Sequence, residues 1–160
     1  MEKTARDGLL DAGVELLGTV GARYATARAT EDAAGLPHGS MRHHFANQRG
    51  FILALTGHLL DRDTPRSDES PREAVQRWLN ADVLSTRARF ELTLLGTRDD
   101  EVGAMIVAGR DRYVRALQEA GASRALARLV TAALDGAALD GLLRRDGGAE
   151  LGPLLELLQA

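Results

Sequence analysis

Twenty residues, TARATEDAAGLPHGSMRHHF at 26–45, constrain this chain more than any other part of it. Two short helices are predicted there, one at 26–34 and a second from near His38, joined by the turn Gly35-Leu36-Pro37. Ala33, Leu36, Met41 and Phe45 are the small and apolar contacts expected to lock the pair at a steep angle, and Gly35 permits the tight backbone. Met41 and Phe45 lie one helical turn apart, on one face. This is a helix-turn-helix pattern. The remaining positions, His38, Gly39, Ser40, Arg42 and His43, are short or basic, as a helix entering a major groove requires. Glu31 and Asp32 are expected to face solvent from the first helix.

The rest of the chain is also helical in pattern. Leu9, Leu10, Gly13, Val14, Leu16, Leu17 and Val20 recur at spacings of three and four, with glycines 8, 13 and 18 weakening the helix and Gly21 ending it. A further helix is predicted from an Asn47 cap to about Arg62, with Phe51, Ile52, Leu55, His58 and Leu59 on one stripe. Asp61 to Ser70 is polar and contains Pro65, so a linker is expected. Ser70-Pro71-Arg72-Glu73 has the order of a capping box. Thr86 to Leu95 alternates like a strand, yet a lone strand among helices has no partner, so a helix is predicted. Asp99-Asp100-Glu101 opens the next helix, which ends near Gly121, and Ser123 caps another.

Alanine and leucine crowd 124–143 so densely that apolar residues fall nearly all round the helix. Such a helix must be buried on more than one side, and in 160 residues the second cover is expected from another subunit. Gly147-Gly148 is expected to end it, and Pro153 to Leu158 to form a short final helix.

Composition removes several classes of function. The chain has no cysteine, which excludes disulfides, thiolate zinc sites and cysteine nucleophiles and fits a reducing cytoplasm. No signal-peptide pattern and no membrane-spanning apolar stretch is present. A net charge of −3 argues against indiscriminate nucleic-acid coating. That charge is unevenly distributed. Residues 1–50 hold six basic and six acidic side chains, and 21–50 hold four basic and two acidic, before three histidines are counted.

The stretch 9–55, and within it AGLPHGSMRHHF at 34–45, resembles the DNA-binding region of the TetR (tetracycline-repressor-type) family. The resemblance implies an all-α fold: a three-helix DNA-binding domain at 1–46 and a helical ligand-binding and dimerisation domain at 47–160. It implies contacts to DNA from Thr26, Arg28, Pro37, His38, Gly39, Ser40, Arg42, His43, His44 and Gln48. Arg42 stands where the family often has an aromatic phosphate contact, Gln48 where lysine is usual, and Thr30 where a larger aliphatic residue is normal. A small, mostly apolar effector is implied, with Trp78, Phe90, Met105 and Tyr113 as candidate pocket residues. The homodimer would form through 123–160. The function implied is a transcriptional regulator, a repressor released from a near-palindromic double-stranded operator by a small molecule.

Other readings compete with this one. His38 and His43 lack i, i+4 spacing and accompanying carboxylates, so no metal site is expected, and no cofactor either. A histidine-based enzyme would need a nucleophile or a positioned acid that the sequence does not supply. The alternative of another class is a small-molecule-binding helical dimer without significant DNA affinity, motivated by the single lysine, Lys3. Arg110, Asp111 and Arg112 are expected to form a solvated face, and His58 either a core edge or a pocket contact.

Overall fold

The computed structural model describes residues 4–63, 69 and 71–145. Every regular element among them is an α-helix: α1 (Ala5–Val20), α2 (Ala27–Ala33), α3 (Ser40–His44), α4 (Gln48–Asp63), α5 (Pro71–Leu79), α6 (Val83–Gly96), α7 (Asp100–Glu119) and α8 (Arg124–Arg144). The Ser70 cap, Gly147-Gly148 and the helix expected at Pro153 to Leu158 lie outside the described residues. Two compact units emerge, one from Met1–Asp63 with Leu84–Ile106, the other from Thr64–Val83 with Val107–Ala160.

In the first unit, Thr4 and Asp7 make a reciprocal capping box that starts α1. Leu9, Leu10, Val14 and Leu17 of α1 meet Phe51, Leu55 and Leu59 of α4, with Ala88, Leu92, Val102 and Ile106, in one buried core. Two glycines that weaken α1 locally make room for this packing, Gly18 against backbone and Gly13 against side chains. A Cβ on Gly18 would lie 2.2 Å from the Leu84 carbonyl oxygen, and one on Gly13 would lie 2.8 Å from the Phe51 ring. Val20, expected on the buried face, is exposed.

Polar contacts tie the same helices together. Asp11 of α1 accepts from Arg62 at 2.8 Å and lies 2.7 Å from His58 Nε2, which makes His58 a core-edge contact between α1 and α4. α4 takes in the first three residues of the expected linker, running to Asp63, whose carboxylate pairs with Arg89 of α6 at 3.2 Å; the rest of that expectation, at 64–68 and 70, lies outside the described residues. The alternating segment is helical: α6 buries Ser85, Thr86, Ala88 and Leu92 and leaves Leu94 exposed, so the burial follows a helical rather than a twofold period. Gly96 and Gly103 meet at the α6–α7 turn, where a Cβ on Gly103 would stand 2.6 Å from the Gly96 carbonyl oxygen.

In the second unit, α5 packs against α8. Arg77 is half-buried between Glu69, at 2.7 Å through both Nε and Nη2, and Asp82 at 2.9 Å, and these acids hold its guanidinium well above its usual pKa. Ser123 caps α8 by accepting from the Leu126 N–H. The helix stops at Arg144, ahead of the expected glycine pair, with Arg145 in the left-handed region (φ +60°) and its N–H bonded to the Gly141 carbonyl. Arg110 is not simply solvated, since its guanidinium pairs with Asp135 of α8.

One stripe of α8 is buried within the unit: Ala127, Val130, Thr131, Leu134, Ala138 and Gly141. The opposite side is also apolar, yet Leu129 is 66% exposed and Leu143 73%. Among the described residues, no helix is long and apolar enough to cross a membrane.

Candidate nucleic-acid interface

The helix-turn-helix is built by a few contacts that hold two very short helices. Thr26 caps α2, its hydroxyl accepting from the Ala29 N–H at 3.2 Å. Thr30 is fully buried and its hydroxyl donates to the Thr26 carbonyl at 2.9 Å, so the shorter side chain brings no unpaired polar group into the core. The turn passes through Gly35 at φ +65° and Gly39 at φ +99°, conformations that favour glycine. α3 begins at Ser40, slightly later than expected, and is anchored from behind by buried Met41 and Phe45. The Phe45 ring packs edge-on against Phe51 of α4 at 5.1 Å, and the Arg6 guanidinium lies 5.3 Å from its centroid. Leu36 packs on the core as expected. Ala33 does not: it is exposed, and Ala34 takes the packing role.

Glu31 departs most from expectation. It is only 5% exposed and turns inward, whereas Asp32 is exposed. One of its carboxylate oxygens accepts from the N–H groups of Gly39 at 3.0 Å and Met41 at 2.9 Å. The other lies 3.4 Å from His38 Nδ1. The bond from Met41, then that from Gly39, draws the Glu31 carboxyl below its usual pKa, against the opposing effect of burial. His38 Nε2 also lies 3.7 Å from Asp32, so both ring nitrogens face acids of α2.

Of the residues expected to contact DNA, Thr26, Arg28, Pro37, His38, Gly39, Arg42, His43 and Gln48 are exposed, while Ser40 and His44 are half-buried. The Ser40 hydroxyl donates to the Pro37 carbonyl at 2.6 Å, and the His43 and His44 rings meet edge-to-face at 5.1 Å. Sequence reasoning passed over two neighbouring features. Arg23 and exposed Tyr24 form a cation–π pair at 5.6 Å immediately before Thr26. Arg49, next to Gln48, forms ion pairs with Asp99 and with Glu101 at 3.0 Å, and these raise its pKa while lowering that of Asp99.

Among the described residues, no three His, Cys, Asp or Glu side chains gather as a metal ion would require. The candidate pocket residues divide between the units. Trp78 and Tyr113 meet in the second, with ring centroids 5.6 Å apart. Phe90 and Met105 are half-buried in the first, Phe90 with the Arg89 guanidinium 5.4 Å from its centroid.

Residues 69–159 match the tetracyclin repressor-like C-terminal domain. The chain belongs to the TetR family. TetR-family proteins are transcription factors and not enzymes. Several solved structures share the fold over nearly the whole chain. A Rhodococcus sp. protein assigned as a TetR-family transcriptional regulator aligns with a TM-score of 0.75 at 18% identity, over 98% of each chain. The multidrug binding protein EbrR, in complex with imidazole, aligns with a TM-score of 0.67 at 23% identity, over 96% of each chain. SCO7518 of Streptomyces coelicolor A3(2), assigned as a transcriptional regulator, aligns with a TM-score of 0.69 at 21% identity, over 94% of this chain and 97% of its own. No curated protein sequence matches the TetR-family chain.

Proposed function

We propose that this TetR-family regulator is a repressor that binds a near-palindromic operator as a homodimer and leaves it when a small molecule binds. Residues 1–46 would read DNA, and 47–160 would hold the effector and the partner. The observation that carries the reading is the two-sided build of α3. Met41 and Phe45 are buried on its inner side, while His38, Gly39, Arg42 and His43 are exposed. Exposed Thr26, Arg28 and Gln48 extend that surface with groups able to meet phosphates, and Arg28, His38, Ser40 and Arg42 would select bases.

The uncovered side of α8 supports the dimer. Ala125, Leu129, Ala132, Gly136, Leu139 and Leu143 are all exposed. Their alternating spacings of four and three are those of a helix seam that another helix can cover. Two copies related by a twofold axis would set their recognition helices about one DNA turn apart, roughly 34–36 Å. The effector is proposed to be small, mostly apolar and aromatic. EbrR, of similar fold, has been solved with imidazole and with proflavin, and the Trp78–Tyr113 pair offers aromatic surface in the second unit. Release from DNA requires the effector to bind the DNA-free form more tightly than the bound form.

A mobility-shift titration on the DNA upstream of its own coding region tests this. A retarded species at low salt, dissolved by an aromatic effector, is expected. Absence of any retarded species with a folded dimer would contradict it. Arg42→Ala should weaken binding and reduce the salt slope by about one, whereas a dimer without DNA affinity would be unaffected.

A further inference from the structure

A five-residue helix cannot hold itself together in water, so α3 depends on groups outside it. Its first N–H groups need acceptors. The residue at its N-cap, Gly39, has no side chain to offer, and the Ser40 hydroxyl is already turned to the Pro37 carbonyl. Glu31 supplies the missing cap from another helix. It accepts from Gly39 and Met41 with one oxygen and faces His38 with the other.

A buried carboxylate here has a cost. It is desolvated, and it stands beneath a surface expected to approach phosphates. The positive end of α3, two N–H dipoles and the His38 ring offset that cost. Capping from behind also leaves the outer side of Gly39 bare. A Cβ built there meets nothing within 4 Å, so crowding inside the fold does not require the glycine. A serine or aspartate cap at position 39 would place its side chain on that open side, and φ +99° would oppose it as well.

We propose that Glu31 is a positioning residue for base reading: its buried carboxylate caps α3 from α2 and orients His38, and operator selectivity depends on both. The proposal rests on the DNA-reading function above. Glu31 at 3.4 Å from Nδ1 and Asp32 at 3.7 Å from Nε2 hold the exposed His38 ring between two acids of α2. Removing the Glu31 carboxylate leaves the ring only its longer contact with Asp32 and loosens the first turn of α3. It also removes a negative charge from beneath the DNA face. Operator affinity therefore falls while affinity for unrelated DNA stays level or rises.

The test uses the full chain, fluorescence anisotropy on a selected operator duplex and on a scrambled duplex, and a thermal melt of each variant. For Glu31→Ala, the ratio of operator to scrambled affinity should fall on the order of tenfold at a temperature where the protein is folded. For Glu31→Gln, which keeps an oxygen acceptor but loses the charge, the fall should be about threefold. A role confined to folding would lower both affinities together and leave the ratio unchanged, which overturns the proposal. If Glu31→Ala does not fold, Glu31→Gln decides: a wild-type ratio in that folded variant overturns the proposal too. Wild-type protein that prefers no duplex would instead defeat the DNA-reading function itself. Wild-type selectivity that survives in Glu31→Ala would defeat only the role of Glu31.

Discussion

The recognition helix α3 and the long helix α8 solve opposite problems. α3 has five residues and is held by others: Met41 and Phe45 anchor it, and Glu31 of α2 caps it. α8 has twenty-one residues, its own Ser123 cap and a buried stripe, and still leaves leucines uncovered. One element lacks internal stability and borrows polar contacts. The other has more apolar surface than its own unit covers. A short helix held from outside can keep its outer side free for DNA, whereas a long helix with surplus leucine needs a second helix over it. In the proposed regulator the two helices therefore fail differently, by local melting at α3 and by dissociation at α8.

The largest effect should come from charging the open side of α8. Leu129→Glu with Leu143→Glu should abolish the dimer in sedimentation, because an unpaired charge buried at such a contact costs about 3–5 kcal/mol. The circular dichroism spectrum should stay helical, since both positions are exposed in the single chain. An unchanged dimer would place the interface elsewhere. Next is Phe45→Ala, which removes the aromatic anchor of α3 and should cost about 3–5 kcal/mol in chemical unfolding. A loss below about 1 kcal/mol would mean that α3 does not depend on that anchor.

The two serine-type caps give a smaller and more direct contrast. Thr26→Ala and Ser123→Ala should each cost about 1 kcal/mol or less. Amide exchange in the seven-residue α2 should speed up throughout, while in α8 the change should stay within the first turn. Equal spreading in both would erase the difference. Smallest is the response to acid. The lowered carboxyl pKa of Glu31 stabilises the fold above the usual carboxylate range, and the contribution disappears as pH falls through the lowered value. Glu31→Gln should therefore flatten stability against pH below about pH 4.5, measured by thermal melts. An equally steep acid loss in that variant would assign it to other carboxylates, with Asp99 and Asp7 also lowered.

Much of the fold was legible because it depends on local chemistry. Asn47 accepts from Gly50 at 2.8 Å, as a cap placed by residue type alone, while Asp99, expected in the first turn, caps α7 instead by accepting from Glu101 and Val102 at 3.1 Å. The helix at 83–96 followed from a topological argument against its alternating pattern. Long-range geometry was not legible. Gly13 and Gly18 look like weaknesses in a helix until Phe51 and the Leu84 carbonyl are seen against them. Glu31 looks like a solvated acid because its partners lie eight and ten residues away across a turn whose path no spacing rule specifies. The same limit hid the pairing of Arg49 with Asp99 and Glu101, fifty residues on. The candidate DNA face was visible because short and basic residues alternate there with two anchors, Met41 and Phe45.

Selection of bound sequences from a random duplex pool by the full-length protein tests the central claim most directly. The account predicts enrichment of near-palindromes whose half-sites are centred about 10 base pairs apart, one helical turn, with two chains per duplex. A folded dimer that enriches no sequence over the starting pool would contradict it.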